Sequence, residues 1–159
     1  MNRVLVIACG NPLRADDSAG WRIVEALRGE GKDGGFLAKT VRQLTPELAE
    51  EVSHAETAIF VDAAENGRPG AVEIKRIRPA AGLWWRFTHS LTPQALLTLG
   101  RELYDEAPAE AFLVTIGAAS FELGGELSGA VAAGVREAVE AVRSIATRQA
   151  AGQGSRQLW

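Results

Sequence analysis

Along this chain, short uninterrupted apolar runs alternate with stretches in which apolar residues recur every three or four positions. Val4 to Cys9 carries no charge and reads as a strand covered on both faces. Gly10 permits a tight turn, and Asn11-Pro12 favours a loop. Trp21, Val24 and Leu27 then recur at helical spacing, with Gly29 placed to end the helix and Gly29 to Gly35 reading as a turn. Phe36 to Val41 predicts a second strand. Thr45-Pro46-Glu47 combines a hydroxyl cap, a proline at the first position and an acid near the positive dipole end, so it starts a helix that runs to about His54. Thr57 to Val61 is another buried strand, ending on Asp62. The turn cluster Asn66 to Gly70 leads into a strand over Ala71 to Ile77. A parallel crossover needs about a dozen residues or more, so this strand is expected to run antiparallel to its predecessor.

Pro79 to His89 reads as a long loop carrying Trp84-Trp85. Thr92-Pro93 repeats the cap-plus-proline start, and Leu96, Leu99 and Leu103 form the apolar stripe of the helix that follows. Phe112 to Ile116 is the fifth strand, closed by Gly117. Ser128 can cap a last helix whose Val131, Val135, Val139, Val142 and Ile145 face one way. The alternation predicts a three-layer α/β/α domain on a mostly parallel five-stranded sheet, spanning residues 1–147. Residues 148–159, rich in Gln, Gly, Ser and Ala, read as a disordered tail.

Composition narrows the function classes. A net charge of -3 gives no electrostatic footprint for nucleic acid or anionic lipid. No apolar run approaches the ~20 residues that span a bilayer. Met1-Asn2-Arg3 passes directly into a strand, with no signal-peptide pattern, and a cytoplasmic protein is expected. A single cysteine, Cys9, excludes an internal disulfide and any multi-cysteine zinc site.

The candidate chemistry lies at equivalent places in this scheme. Asp16 and Asp17 follow the first strand, Asp62 ends the third, and His89 stands in the loop before a helix. The first and third strands are expected to be neighbours where chain order reverses, the crevice in which open α/β sheets place ligands. Two carboxylates and an imidazole form an incomplete metal shell suited to zinc, nickel or another borderline divalent ion. Taken singly, each aspartate reads as well as a cap or turn former. Cys9 reads as a small apolar residue ending a buried strand, and His54 as a cation complementing a helix end. Asn11 either holds its turn or binds substrate, and Trp84-Trp85 divides between core cover and a docking surface.

Gly10-Asn11…Asp16-Asp17…Gly20, then Phe60-Val61-Asp62-Ala63, then Thr88-His89-Ser90-Leu91, resembles the hydrogenase maturation protease family over about residues 3 to 146. The resemblance implies a phosphorylase/hydrolase-like fold whose mixed five-stranded sheet contains one antiparallel strand. It also implies an aspartyl-type endopeptidase that removes the carboxyl-terminal extension of a nickel-loaded [NiFe]-hydrogenase large-subunit precursor. In that reading Asp17, Asp62 and His89 are the metal-contacting and catalytic positions. Nickel arrives with the substrate, and zinc or cadmium can substitute for it. Asn11, Asp16 and Trp84 are the expected substrate or loop residues, with Asp16 supporting Asp17. The sequence departs from the family pattern at Ser18-Ala19 and at Ala118-Ala119. Two other functions are compatible with the same residues. One is a non-catalytic nickel-sensing assembly factor, and the other is a metal-free ester or peptidyl hydrolase.

Overall fold

A computed structural model describes residues 4–34, 36–65, 67–79, 91–119 and 126–150. His89, Trp84 and Trp85 lie outside the described residues, as does the chain from residue 151 onward.

The first apolar run forms β1 (Val4–Cys9), and the others follow as β2 (Phe36–Val41), β3 (Thr57–Ala64), β4 (Val72–Ile77) and β5 (Glu110–Gly117). Four helices alternate with them: α1 (Ala19–Gly34), α2 (Ala49–His54), α3 (Pro93–Tyr104) and α4 (Gly129–Ala150). Short 3-10 turns at Ala15–Ser18 and Pro46–Leu48 precede α1 and α2. The strands form one sheet in the order β2-β1-β3-β5-β4, in which only β4 is antiparallel to its neighbour. Chain order reverses between β1 and β3, as expected.

Each sheet face carries its own core. Val4, Val6 and Ala8 of β1 point toward α1 and α4, where Ile23, Val24 and Val142 are fully buried. Leu5 and Ile7, at the alternate positions, point toward α2 and α3, against Val52, Leu96 and Leu99. The buried runs of β1 and β3 therefore lack polar alternation because helices cover both faces.

Several elements differ from the sequence reading. The short turn after β3 does reverse β4, but β4 pairs with β5, which inserts between it and β3. Helix α1 continues through Gly29 to Gly34. It must return the chain from the carboxyl end of β1 to Phe36, which pairs with Val4 at the amino end. A helix stopping at Gly29 would span only about 16 Å, short of a six-residue strand at roughly 20 Å. Flanking Arg28, Glu30 and Lys32 favour helix, so the glycines weaken α1 without breaking it. Thr45 makes no capping bond, and its hydroxyl instead bonds to the Glu47 carboxylate, holding that group below its usual range. Thr92 does cap, accepting the Ala95 N–H at 3.0 Å. Leu103 sits 57% exposed on the outer side of α3 rather than in its stripe. Helix α4 runs past Thr147 to Ala150.

Candidate active site

The crevice forms where β1 and β3 present their carboxyl ends side by side. After Cys9 the chain turns at Gly10, whose φ is 151°. A Cβ there would stand 2.2 Å from the Asp17 carbonyl oxygen, so only glycine allows the loop to fold back this closely. Beyond it the Asn11 side-chain oxygen accepts the Leu13 N–H at 2.9 Å, and the Arg14 N–H donates to the Asn11 carbonyl at 3.1 Å. The Asp17 carboxylate in turn accepts the Asn11 N–H at 2.8 Å. Asn11 thus shapes the loop with its side chain and orients Asp17 with its backbone.

The two adjacent acids point to different places. Asp16 is fully buried and, among the described residues, accepts the Ala119 N–H at 2.7 Å, the Ser128 N–H at 2.9 Å and the Ser128 hydroxyl at 3.2 Å. It therefore ties the start of α1 to both the exit of β5 and the entry of α4. Ala119, where the sequence departs from the family pattern, takes part through its backbone N–H, which a small residue supplies as well as a large one. Ser128 also caps α4, receiving the Val131 N–H at 3.4 Å. Nothing local in the sequence connects Asp16 with Ser128, although the capping role of Ser128 was legible.

Asp62 is half-buried near the end of β3 and accepts the Ala63 N–H at 2.8 Å. Burial pushes its carboxyl up from 3.8 to about 6; the Ala63 bond opposes the rise and the Asp17 charge adds to it. Cys9 responds to the same two charges. Burial, followed by the carboxylates of Asp62 and Asp17, pushes its thiol up from 9.0 to about 12, so it remains protonated and poorly nucleophilic at neutral pH. Its sulfur donates to the Arg42 carbonyl at 3.6 Å. The Asp17 charge thus reaches Asp62, and both carboxylates reach Cys9, within one crevice. Among the described residues no three His, Cys, Asp or Glu side chains are placed to hold a metal ion. The third expected position, His89, lies outside them. His54 stands apart, exposed at the end of α2, with its ring 3.6 Å from the Glu106 carboxylate.

No family model matches the chain, and no curated protein matches it. Solved structures do. The hydrogenase maturating endopeptidase HybD from E. coli is 26% identical with a TM-score of 0.71, over 94% of this chain and 94% of that one. The [NiFe] hydrogenase maturation protease HybD from Thermococcus kodakarensis is 27% identical with a TM-score of 0.67, over 91% of this chain and 99% of that one. The hydrogenase 2 maturation peptidase from a Thaumarchaeota archaeon is 27% identical with a TM-score of 0.66, over 95% and 99%. The resemblance to the hydrogenase maturation protease family read from the sequence is supported by these structures. Its mixed sheet between two helical layers is the fold the resemblance implied, and the likeness to these structures supports a peptidase-type hydrolase. No helix among the described residues is long and apolar enough to cross a membrane.

Proposed function

We propose that this protein is a cytoplasmic endopeptidase that removes the carboxyl-terminal extension from a nickel-loaded [NiFe]-hydrogenase large-subunit precursor. The observation that carries this reading is the divergence of the two acids after β1. Asp16 is consumed by internal bonds, whereas Asp17 is held in the crevice within electrostatic range of Asp62. Asp17, Asp62 and His89 are the residues that would meet the nickel carried by the precursor, a set of oxygen and nitrogen donors suited to that ion.

Cleavage adds water across the peptide bond: its oxygen attacks the carbonyl carbon, the C–N bond breaks, and a proton passes to the leaving amine. Asp17 and Asp62, the carboxylates of the crevice, are the groups this chain offers to hold that proton. Cys9, protonated up to about 12, takes no part as a nucleophile.

The test is incubation of the purified protein with nickel-loaded precursor, followed by intact-mass spectrometry. Loss of a carboxyl-terminal peptide is expected for the wild type and not for Asp17→Asn. Stable binding with no mass loss would instead make the chain a nickel-sensing assembly factor. Cleavage that survives exhaustive chelation of protein and substrate would make it a metal-free hydrolase.

A further inference from the structure

Strand β4 is an outer strand of the sheet, paired through β5 alone. Glu73, Ile74, Lys75 and Arg76 are exposed in succession along it, so neither helical layer covers the middle of this strand. Ile74 is 47% exposed, a large apolar side chain at a free sheet edge. Arg76 is engaged within the chain, with its guanidinium 3.4 Å from the Glu110 carboxylate and over the Phe112 ring. Among the described residues, neither Glu73 nor Lys75 forms an ion pair.

The ladder fixes which backbone groups of β4 are free. The Gly117 N–H donates to the Ala71 carbonyl at 2.9 Å, so Ala71 turns its hydrogen-bonding groups toward β5. In an antiparallel pair those groups change side from one residue to the next. Glu73, Lys75 and Ile77 therefore also bond inward, and Val72, Ile74 and Arg76 direct their N–H and C=O groups out of the sheet. Side chains alternate in the same way. Val72 and Ile74, opposite Ile116 and Val114, stand on the face of α1 and α4, and Glu73 and Lys75 stand on the other face.

We propose that the free edge of β4 pairs with the same edge of a second copy of this chain, antiparallel and centred on Ile74. Residues with outward groups must meet one another across the junction, which leaves three registers that overlap most of the strand, centred on Glu73, Ile74 or Lys75. The first sets Glu73 against its own copy and the last sets Lys75 against its own copy, and like charges directly opposite are destabilising. The register centred on Ile74 sets each Glu73 against the Lys75 of the other copy. These are pairs without hydrogen bonds, in which the Cα atoms approach to about 4.5 Å and the side chains are closest. Ile74 meets Ile74 of the second copy, bonded to it reciprocally through the backbone, and the two side chains cover each other. A lysine on a sheet edge ordinarily repels a further strand. Here the glutamate two residues before it makes the edge attractive to its own copy. The two-fold axis points the carboxyl ends of β1 and β3 opposite ways in the two copies, so both crevices stay open. A junction of this length buries less than the ~1,200 Å² of a stable interface, so the dimer is weak and depends on concentration.

Sedimentation equilibrium of the full chain, loaded from about 1 µM to about 1 mM, tests this. A monomer–dimer equilibrium is expected, weakened about tenfold by Glu73→Lys and by Lys75→Glu, each of which leaves like charges opposite. Mixing these two variants restores both opposite-charge pairs, so a mixed dimer should form at the concentrations at which the wild type dimerises. The double variant Glu73→Lys with Lys75→Glu should dimerise alone. All these positions are exposed, and circular dichroism checks that the fold is kept. Under mild oxidation Ile74→Cys should cross-link two copies and Val72→Cys should not, because Ile74 alone meets its own copy, at the ~5.5 Å between Cα atoms that a disulfide spans. A wild type that is monomeric throughout, a dimer that both charge variants leave unchanged, or a mixture that stays monomeric overturns the proposal. A monomeric chain whose binding to the hydrogenase precursor weakens in Ile74→Lys also overturns it, and gives the edge to the substrate instead.

Discussion

The Asp16 carboxylate accepts the Ser128 backbone N–H at 2.9 Å, joining positions 112 residues apart. With the bond to Ala119 it fixes the start of α1 against the exit of β5, so Asp17, the next residue, inherits a fixed position at the crevice. Asp16→Asn keeps the size but replaces one acceptor oxygen by a donor that faces donors. Its cost is expected at about 1–3 kcal/mol, the range for leaving buried groups unpaired. Ser128→Ala keeps the backbone bond and should cost less, about 0.5–1.5 kcal/mol. Urea unfolding of both single variants and of the double variant checks this; strictly additive losses would mean that the pair does not act as one unit.

Asp62 gives a pH signature. Its folded pKa of about 6 exceeds the ordinary 3.8, so the folded chain holds this proton more tightly than the unfolded one. Stability attributable to Asp62 is therefore lost as pH rises from about 4 to about 6, by on the order of 2–3 kcal/mol, and stays lost above that. Asp62→Asn should abolish processing while stabilising the fold at pH 7, with little effect at pH 4. Equal effects at the two pH values would show that the carboxyl is not shifted in the folded protein.

At Gly10 the backbone admits no side chain. Gly10→Ala should displace the Asp17 backbone, destabilise the protein by about 1–3 kcal/mol and reduce processing more than that stability loss explains. Activity measured well below the variant's melting temperature separates the two effects. Full activity there would remove the close approach from the account of the site.

Cys9 should resist alkylation. With its thiol near 12, iodoacetamide at pH 8 is expected to label the folded protein far more slowly than the urea-unfolded chain, and Cys9→Ala should process precursor normally. Rapid labelling in the folded state would place a thiolate in the crevice and reopen its role.

The sequence made some of this legible for physical reasons. Val4 to Cys9 and Thr57 to Val61 are strands covered on both faces, and such runs are visible without tertiary information. The acids at their ends followed directly, and so did the reversed direction of β4, set by a short turn. Pairing was not visible: the preference of β4 for β5 depends on a strand that follows a helix later in the chain. The role of Asp16 was hidden for the same reason, because its partners at Ala119 and Ser128 are distant in sequence and two of these bonds come from backbone. Gly29 misled because propensity at one residue is small beside the need to carry the chain back along the whole sheet.

The insertion of β5 between β3 and β4 sets the timetable of folding. Strands β1, β2 and β3 can pair as soon as they are made, yet β4 has no hydrogen-bonded neighbour until β5 emerges after the whole of α3. Until then β3 and β4 both present open edges, the kind that recruit other chains. Nascent chains halted before Glu110 should therefore be prone to aggregate.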